Sequence, residues 1–162
     1  TEKVSFMSSC LHPVYFWVSK AKDFEGGKMM KIGIGSDHGG YELKEKIKEY
    51  FIDEGIEFID YGTNSLESVD YPDFGKAVSE AVLTGEVDRG ILICGTGIGI
   101  SISANRNKGI RCALCTDSYS ARMSRMHNNA NILALGGWVL GVGLALNIVN
   151  TFLETEFESG DP

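Results

Sequence analysis

The chain has 162 residues, enough for one domain with a substantial core and too few for two ordinary ones. Hydrophobic residues make up 43% and charged residues 23%, and no apolar run approaches the roughly 20 residues that cross a bilayer. A formal charge of -7 repels nucleic acid and anionic membranes at long range, which leaves a small-molecule partner, even an anionic one where local donors hold it.

Residues 1–29 stand outside the rhythm that follows. They carry the aromatic patch Val14-Tyr-Phe-Trp-Val18 and run through Glu25-Gly-Gly-Lys28, without the basic leader or small-residue cleavage site of a signal peptide. They read as an N-terminal extension, either a flanking addition or an extra packing element, ahead of a domain over 30–162. From there strands and helices alternate, with Gly, Asp or Asn at the joints. Strands are expected over 31–36, 56–61, 90–94, 110–114 and 131–135, and helices over 41–52, 72–83, 98–106, 118–127 and 140–154. In the first helix Leu43, Ile47, Tyr50 and Phe51 share one stripe opposite Glu and Lys, the pattern of a helix lying on a sheet. Pro72 suits a first helical turn.

This alternation predicts an α/β fold, a three-layer αβα sandwich around a five-stranded parallel sheet of flavodoxin-like or Rossmann-like order. Order 2-1-3-4-5 puts the ligand crevice beyond the carboxyl ends of strands one and three. Four cysteines form no disulfide framework and fit a reducing, cytoplasmic setting. Cys112 and Cys115 show a C-x-x-C spacing, but on a strand they point to opposite faces, so they read as structural and no metal is expected there.

The stretch 91–100 carries the strongest chemical signal. A buried-strand run delivers Cys94 directly into glycines at 95, 97 and 99, whose amides stay open to a ligand as a helix begins at Ile98. The helix terminus favours negative charge at such a point. The plainer reading is a strand-to-helix turn with a buried Cys. Ser36-Asp37-His38-Gly39-Gly40 ends the first strand beside it, so a carboxylate and an imidazole converge on the thiol and on the Thr96 hydroxyl. Taken alone, Asp37 is a helix cap and His38 a turn residue. Nucleotide motifs fail on the same glycines. Ile102 stands where a dinucleotide fingerprint needs its third glycine, and no glycine loop continues into G-K-S/T. His127 closes the fourth helix, where an imidazolium is mildly favoured.

Ser36-Asp-His38, Asp70-Tyr-Pro72, Ile93-Cys-Gly-Thr-Gly-Ile-Gly99, Ala104-Asn-Arg106, Gly109-Ile-Arg111 and Ser124-Arg-Met-His-Asn128 occur in one order. In these motifs, from about Met30 to Phe157, the chain resembles ribose-5-phosphate isomerase type B and the related galactose-6-phosphate isomerase subunits. The resemblance implies an aldose-ketose isomerase that needs no cofactor and works as a homodimer or homotetramer with active sites shared between subunits. It implies that Cys94 moves a proton between C1 and C2 of an open-chain sugar phosphate, whereas relatives of another type use a Glu at the position of Ile100. Gly95, Thr96, Gly97, Ile98 and Gly99 would hold the enediolate oxygens. His127 from a neighbouring subunit would open the furanose ring with help from Asp37, and His38, Tyr71 and Asn128 would line the pocket.

The chain departs from the pattern at the phosphate. The resemblance implies three arginines there, one in a Gly-x-Arg turn after the fifth strand and two in a basic segment near the C-terminus. Trp138 and Asp161 occupy the first two of these positions and nothing occupies the third, so the chain is expected to lack that basic segment. A dianion without such partners loses charge-assisted bonds of about 1.5 to 3 kcal/mol each. Arg106, Arg111, Arg122 and Arg125 are close in sequence but read first as solvated or structural charge. The leading expectation is interconversion of ribose 5-phosphate and ribulose 5-phosphate. Alternatives are an isomerase of a 6-phosphate sugar such as galactose 6-phosphate or allose 6-phosphate, a non-catalytic sugar-phosphate binder, and, from sheet order alone, a flavin binder.

Overall fold

A computed structural model describes residues 29–159, so the expectations for 1–28 and for Asp161 lie outside the described residues. Five strands form one sheet: β1 (Lys31–Ser36), β2 (Glu57–Asp60), β3 (Arg89–Cys94), β4 (Cys112–Leu114) and β5 (Ile132–Gly136). Every pairing is parallel. The helices are α1 (Tyr41–Glu54), α2 (Tyr71–Thr84), α3 (Ile98–Asn105), α4 (Ser118–Met126) and α5 (Val142–Glu154), and a single 3-10 turn at His38–Gly40 leads into α1. Among the described residues no helix is long and apolar enough to cross a membrane.

The sheet separates two cores because strand side chains alternate. Ile32, Ile34, Ile91, Ile93, Leu133 and Leu135 pack with α1, α4 and α5, and the stripe Leu43, Ile47, Tyr50 and Phe51 is buried there. Leu92, Cys94, Ile132 and Ala134 face Val78 of α2 and Ile100 and Ala104 of α3. The same alternation divides the C-x-x-C pair: Cys115 belongs to the first core and Cys112 packs against the second.

The three-layer sandwich is as expected, but the strand order is 2-1-3-5-4 rather than 2-1-3-4-5. Burial explains the exchange. All five residues of β5 are buried, as suits a strand flanked on both sides, whereas the three of β4 are only half-buried or exposed. The order also fits the right-handed crossover rule. Connections through α2 and α3 run one way along the sheet and those helices share a face, while connections through α1 and α4 run the other way and share the opposite face.

β4 is an edge strand, and the outward backbone groups of its first residue, Cys112, are paired by a side chain. Asn105 Nδ2 donates to the Cys112 carbonyl at 2.9 Å, and the Cys112 amide donates to Asn105 Oδ1 at 2.8 Å. The exchange of β4 and β5 leaves β1 beside β3, with α1 and α3 departing to opposite faces. The crevice therefore stands where the sequence puts it.

Candidate active site

Cys94 is the last residue of β3, and its side chain lies 5% exposed at the floor of this crevice. Its Sγ accepts the Gly97 amide hydrogen at 3.1 Å. The turn that aims this amide requires glycine. Gly97 has a φ of +78°, and a Cβ there would stand 2.5 Å from Leu114 Cδ1 and 2.9 Å from the Leu135 carbonyl carbon. Thr96 is exposed and its Oγ1 accepts the Ile98 amide at 3.3 Å, fastening the first turn of α3. Tyr71, at the start of α2, lies over Gly99, where a Cβ would meet its ring atoms at 3.0 to 3.3 Å.

Asp37 and His38 follow β1 across the crevice. Asp37 is 7% exposed, its amide donates to the Ile93 carbonyl at 3.2 Å, and its Oδ1 accepts the Gly40 amide at 3.1 Å. It therefore caps the 3-10 turn and also ties the β1 loop to β3. His38 Nδ1 accepts the Val69 amide at 3.3 Å, which puts the proton of the neutral ring on Nε2. Cys94, Gly95, Thr96, Gly97, Ile98, Gly99, Asp37, His38 and Tyr71 thus gather at one end of the sheet.

His127 and Asn128 do not join them within one chain. The register pairs Cys94 with Gly136 and Gly90 with Ile132, and His127 precedes Ile132 by five residues. It stands at the amino end of the sheet, about 13 Å or more from the crevice by strand rise alone. His127, Asn128 and Asn129 are all exposed, and Asn129 takes the left-handed φ of 47° that turns the chain toward β5. Arg111 steadies this corner by donating from a guanidinium nitrogen to the Asn128 carbonyl at 2.8 Å. A cavity of about 450 Å³, lined by Asn105, Arg111, Cys112, Ser124 and Asn128 among others, opens beside it.

None of the candidate cations reaches the crevice of its own chain. The five loops that leave the carboxyl ends of the strands contain no Lys or Arg. Arg106 ends α3 at the far side of the sheet, and the Arg122 Nε donates to Met126 at 3.3 Å. Arg125 is buried and donates to the carbonyls of Ala130 and Thr155, and burial lowers its pKa. Among the described residues no three His, Cys, Asp or Glu side chains gather as metal ligands.

What motif reading missed is the position of Trp138. Its amide donates to the Gly95 carbonyl at 3.0 Å, and the preceding Gly137 amide donates to the Cys94 carbonyl at 2.8 Å. These bonds extend the β3–β5 ladder and lay the indole over the crevice floor. A Cβ on Gly95 would stand 2.5 to 2.9 Å from the ring, and one on Gly39 would stand 3.1 Å from Cζ2. The only signal in the sequence was a large aromatic among glycines just past a strand.

A family model described as ribose/galactose isomerase matches residues 32–162. The chain belongs to that family. It is accordingly an enzyme, a sugar-phosphate aldose-ketose isomerase. It is similar to ribose-5-phosphate isomerase B of Escherichia coli, with 50% identity over 132 residues covering 82% of this chain and 89% of that one. It is also similar to the galactose-6-phosphate isomerase subunit LacB of Clostridium acetobutylicum, with 47% identity over 129 residues covering 80% and 75%. Among solved structures, ribose-5-phosphate isomerase B of Clostridium thermocellum superposes with a TM-score of 0.80 at 65% identity, covering 81% of this chain and 88% of that one.

Proposed function

We propose that this isomerase interconverts ribose 5-phosphate and ribulose 5-phosphate through an enediolate, with Cys94 as the base. The observation that carries the reading is the Cys94 sulfur at the carboxyl end of β3, bonded to the Gly97 amide at the start of the glycine loop into α3. In the open-chain aldose, the Cys94 thiolate takes the C2 proton and the C1 carbonyl oxygen gains the negative charge. Amides of Gly95 to Gly99, with the Thr96 hydroxyl, stabilise that charge because they are fixed in place before it develops. A proton moves from the C2 hydroxyl to the C1 oxygen, the thiol returns its own proton to C1, and a ketose results. Every atom is accounted for without a metal or redox partner.

His127 serves the earlier step, protonating the furanose ring oxygen with Asp37 taking part. Its place at the opposite end of the sheet supports a second copy as its source, and the working unit in this reading is a homodimer or homotetramer with shared sites. Asn128 arrives with it, and His38 and Tyr71 complete the pocket. Free thiols at Cys94, Cys112 and Cys115 suit the cytoplasm.

The direct test mixes purified protein with ribose 5-phosphate and measures ketose formation and C2 proton exchange in deuterated water. Turnover and exchange, both lost in Cys94→Ala, support the reading. Ligand binding with no exchange makes the chain a binding protein instead. The similarity to LacB favours one second reading, a 6-phosphate aldohexose as substrate. A side-by-side panel of ribose 5-phosphate, galactose 6-phosphate and allose 6-phosphate separates the two.

A further inference from the structure

We infer that Arg111 is a substrate-binding residue that acts across the boundary between copies, entering a second copy's crevice with His127 and Asn128 and pairing there with the phosphate of the sugar. This deepens the isomerase reading and rests on its shared site. The Arg111 side chain is exposed, and Nη1 donates to the Asn128 carbonyl at 2.8 Å, so its charge travels with the corner that carries His127. Among the described residues its Nε and Nη2 have no partner, and the cavity of about 450 Å³ beside Asn128 leaves them room. The backbone beneath is fixed, since the Arg111 amide donates to Asn131 Oδ1 at 2.9 Å and its carbonyl accepts the Asn131 amide at 3.0 Å. Arg125, also at this corner, is buried with donors taken by Asn129, Ala130 and Thr155, whereas Arg111 faces solvent.

The sugar sets where the charge is needed. In the furanose of a pentose 5-phosphate the ring oxygen is bonded to C4, and only C5 and one oxygen separate C4 from phosphorus. A residue that protonates the ring oxygen therefore stands beside the phosphate. Consecutive Cα atoms are about 3.8 Å apart, so a guanidinium bonded to Asn128 is carried within one residue's span of His127. The described loops that leave the strands of the receiving copy hold Asp37, Asp70 and Asp117 and no Lys or Arg. A dianion among carboxylates is disfavoured there until a cation arrives. The planar fork of Nε and Nη2 offers two parallel N–H donors that match a pair of phosphate oxygens.

The test uses heterodimers refolded from Cys94→Ala and His127→Ala full-length chains, in which the one intact site takes Cys94 from the second chain and His127 from the first. With Arg111→Gln added to the Cys94→Ala chain, KM for ribose 5-phosphate is expected to rise about 10- to 100-fold, on the scale of one charge-assisted bond, with kcat little changed. Inhibition by inorganic phosphate should weaken in parallel, and Arg111→Lys at the same place should recover part of the loss. With Arg111→Gln on the His127→Ala chain instead, neither should move. A KM rise that follows the second placement, or no rise from the first, overturns the inference while the isomerase reading stands. A fall in kcat with KM and phosphate inhibition untouched also overturns it, leaving Arg111 only to hold the Asn128 loop. Heterodimers seen by mass but inactive, beside an active parent chain, remove the shared site itself.

Discussion

The Cys94 sulfur and the Gly97 amide meet at 3.1 Å where β3 becomes α3, so the thiol and the first donor of the glycine loop are fixed by one turn. Replacing the sulfur should therefore remove chemistry without unfolding the turn. Cys94→Ala is expected to lower kcat about 100- to 10,000-fold, the usual loss for a missing general base, with circular dichroism and thermal midpoint nearly unchanged. A Cys94→Ala chain within tenfold of wild type would give the proton transfer to another group.

Alkylation should distinguish the three described thiols. Burial pushes Cys112 up to about 12 and Cys115 up to about 11, so at pH 8 both remain protonated and unreactive in the folded chain. In a Cys10→Ser background, iodoacetamide at pH 8 is expected to modify Cys94 alone, and substrate should slow the reaction. Peptide mass spectrometry reads the site directly, and an adduct on Cys112 or Cys115 of folded protein would contradict the assignment.

The proposed sharing of the site between copies predicts complementation. Cys94→Ala and His127→Ala dimers should each be inactive. Unfolded together and refolded, they give half heterodimers, each with one intact site of two, so about a quarter of the wild-type activity should return. Failure to regain activity, with heterodimers present by mass, would place His127 outside the reaction.

Beside the site, Lys44 is fully buried with its Nζ 2.7 Å from both Asp60 oxygens. Burial by itself would push the Asp60 carboxyl up, but hydrogen bonds from Lys44, Lys48 and the Gly62 amide outweigh it, and the net direction is down. A folded value below the ordinary carboxylate range of about 4 means that this stabilisation is complete above that range and is lost as pH falls through the folded value. Asp60→Asn strands the buried ammonium and should cost about 3 kcal/mol or more in urea unfolding at pH 7. It should also flatten the acid limb of the stability curve. A loss under about 1 kcal/mol at pH 7 would show that Lys44 finds water or another carboxylate.

Much of this molecule was legible before its coordinates. The stripe of Leu43, Ile47, Tyr50 and Phe51 specified α1 because burial on one side dictates a helical period, and β1 matched its expected bounds. The gathering of Asp37, His38 and Cys94 followed from strand ends alone. The exchange of β4 and β5 was not legible, because order along a sheet depends on which strand is covered on both faces, and local periodicity does not rank neighbours. Sequence reading put His127 only at the end of α4, ahead of β5; its place at the opposite end of the sheet from Cys94 comes from the β3–β5 register, which local pattern does not encode. Trp138 read as a missing arginine; that it lies on Gly95 depends on the β3–β5 register, which connects residues more than forty positions apart.

The Asn105 carboxamide stands in for a sixth strand on β4. A bare border of this kind would invite a second molecule to add its own backbone, the route by which sheets grow without limit. With both outward groups of Cys112 already satisfied, the start of this border offers a second backbone nothing to pair with. Removing that one amide would leave this stretch of the border bare.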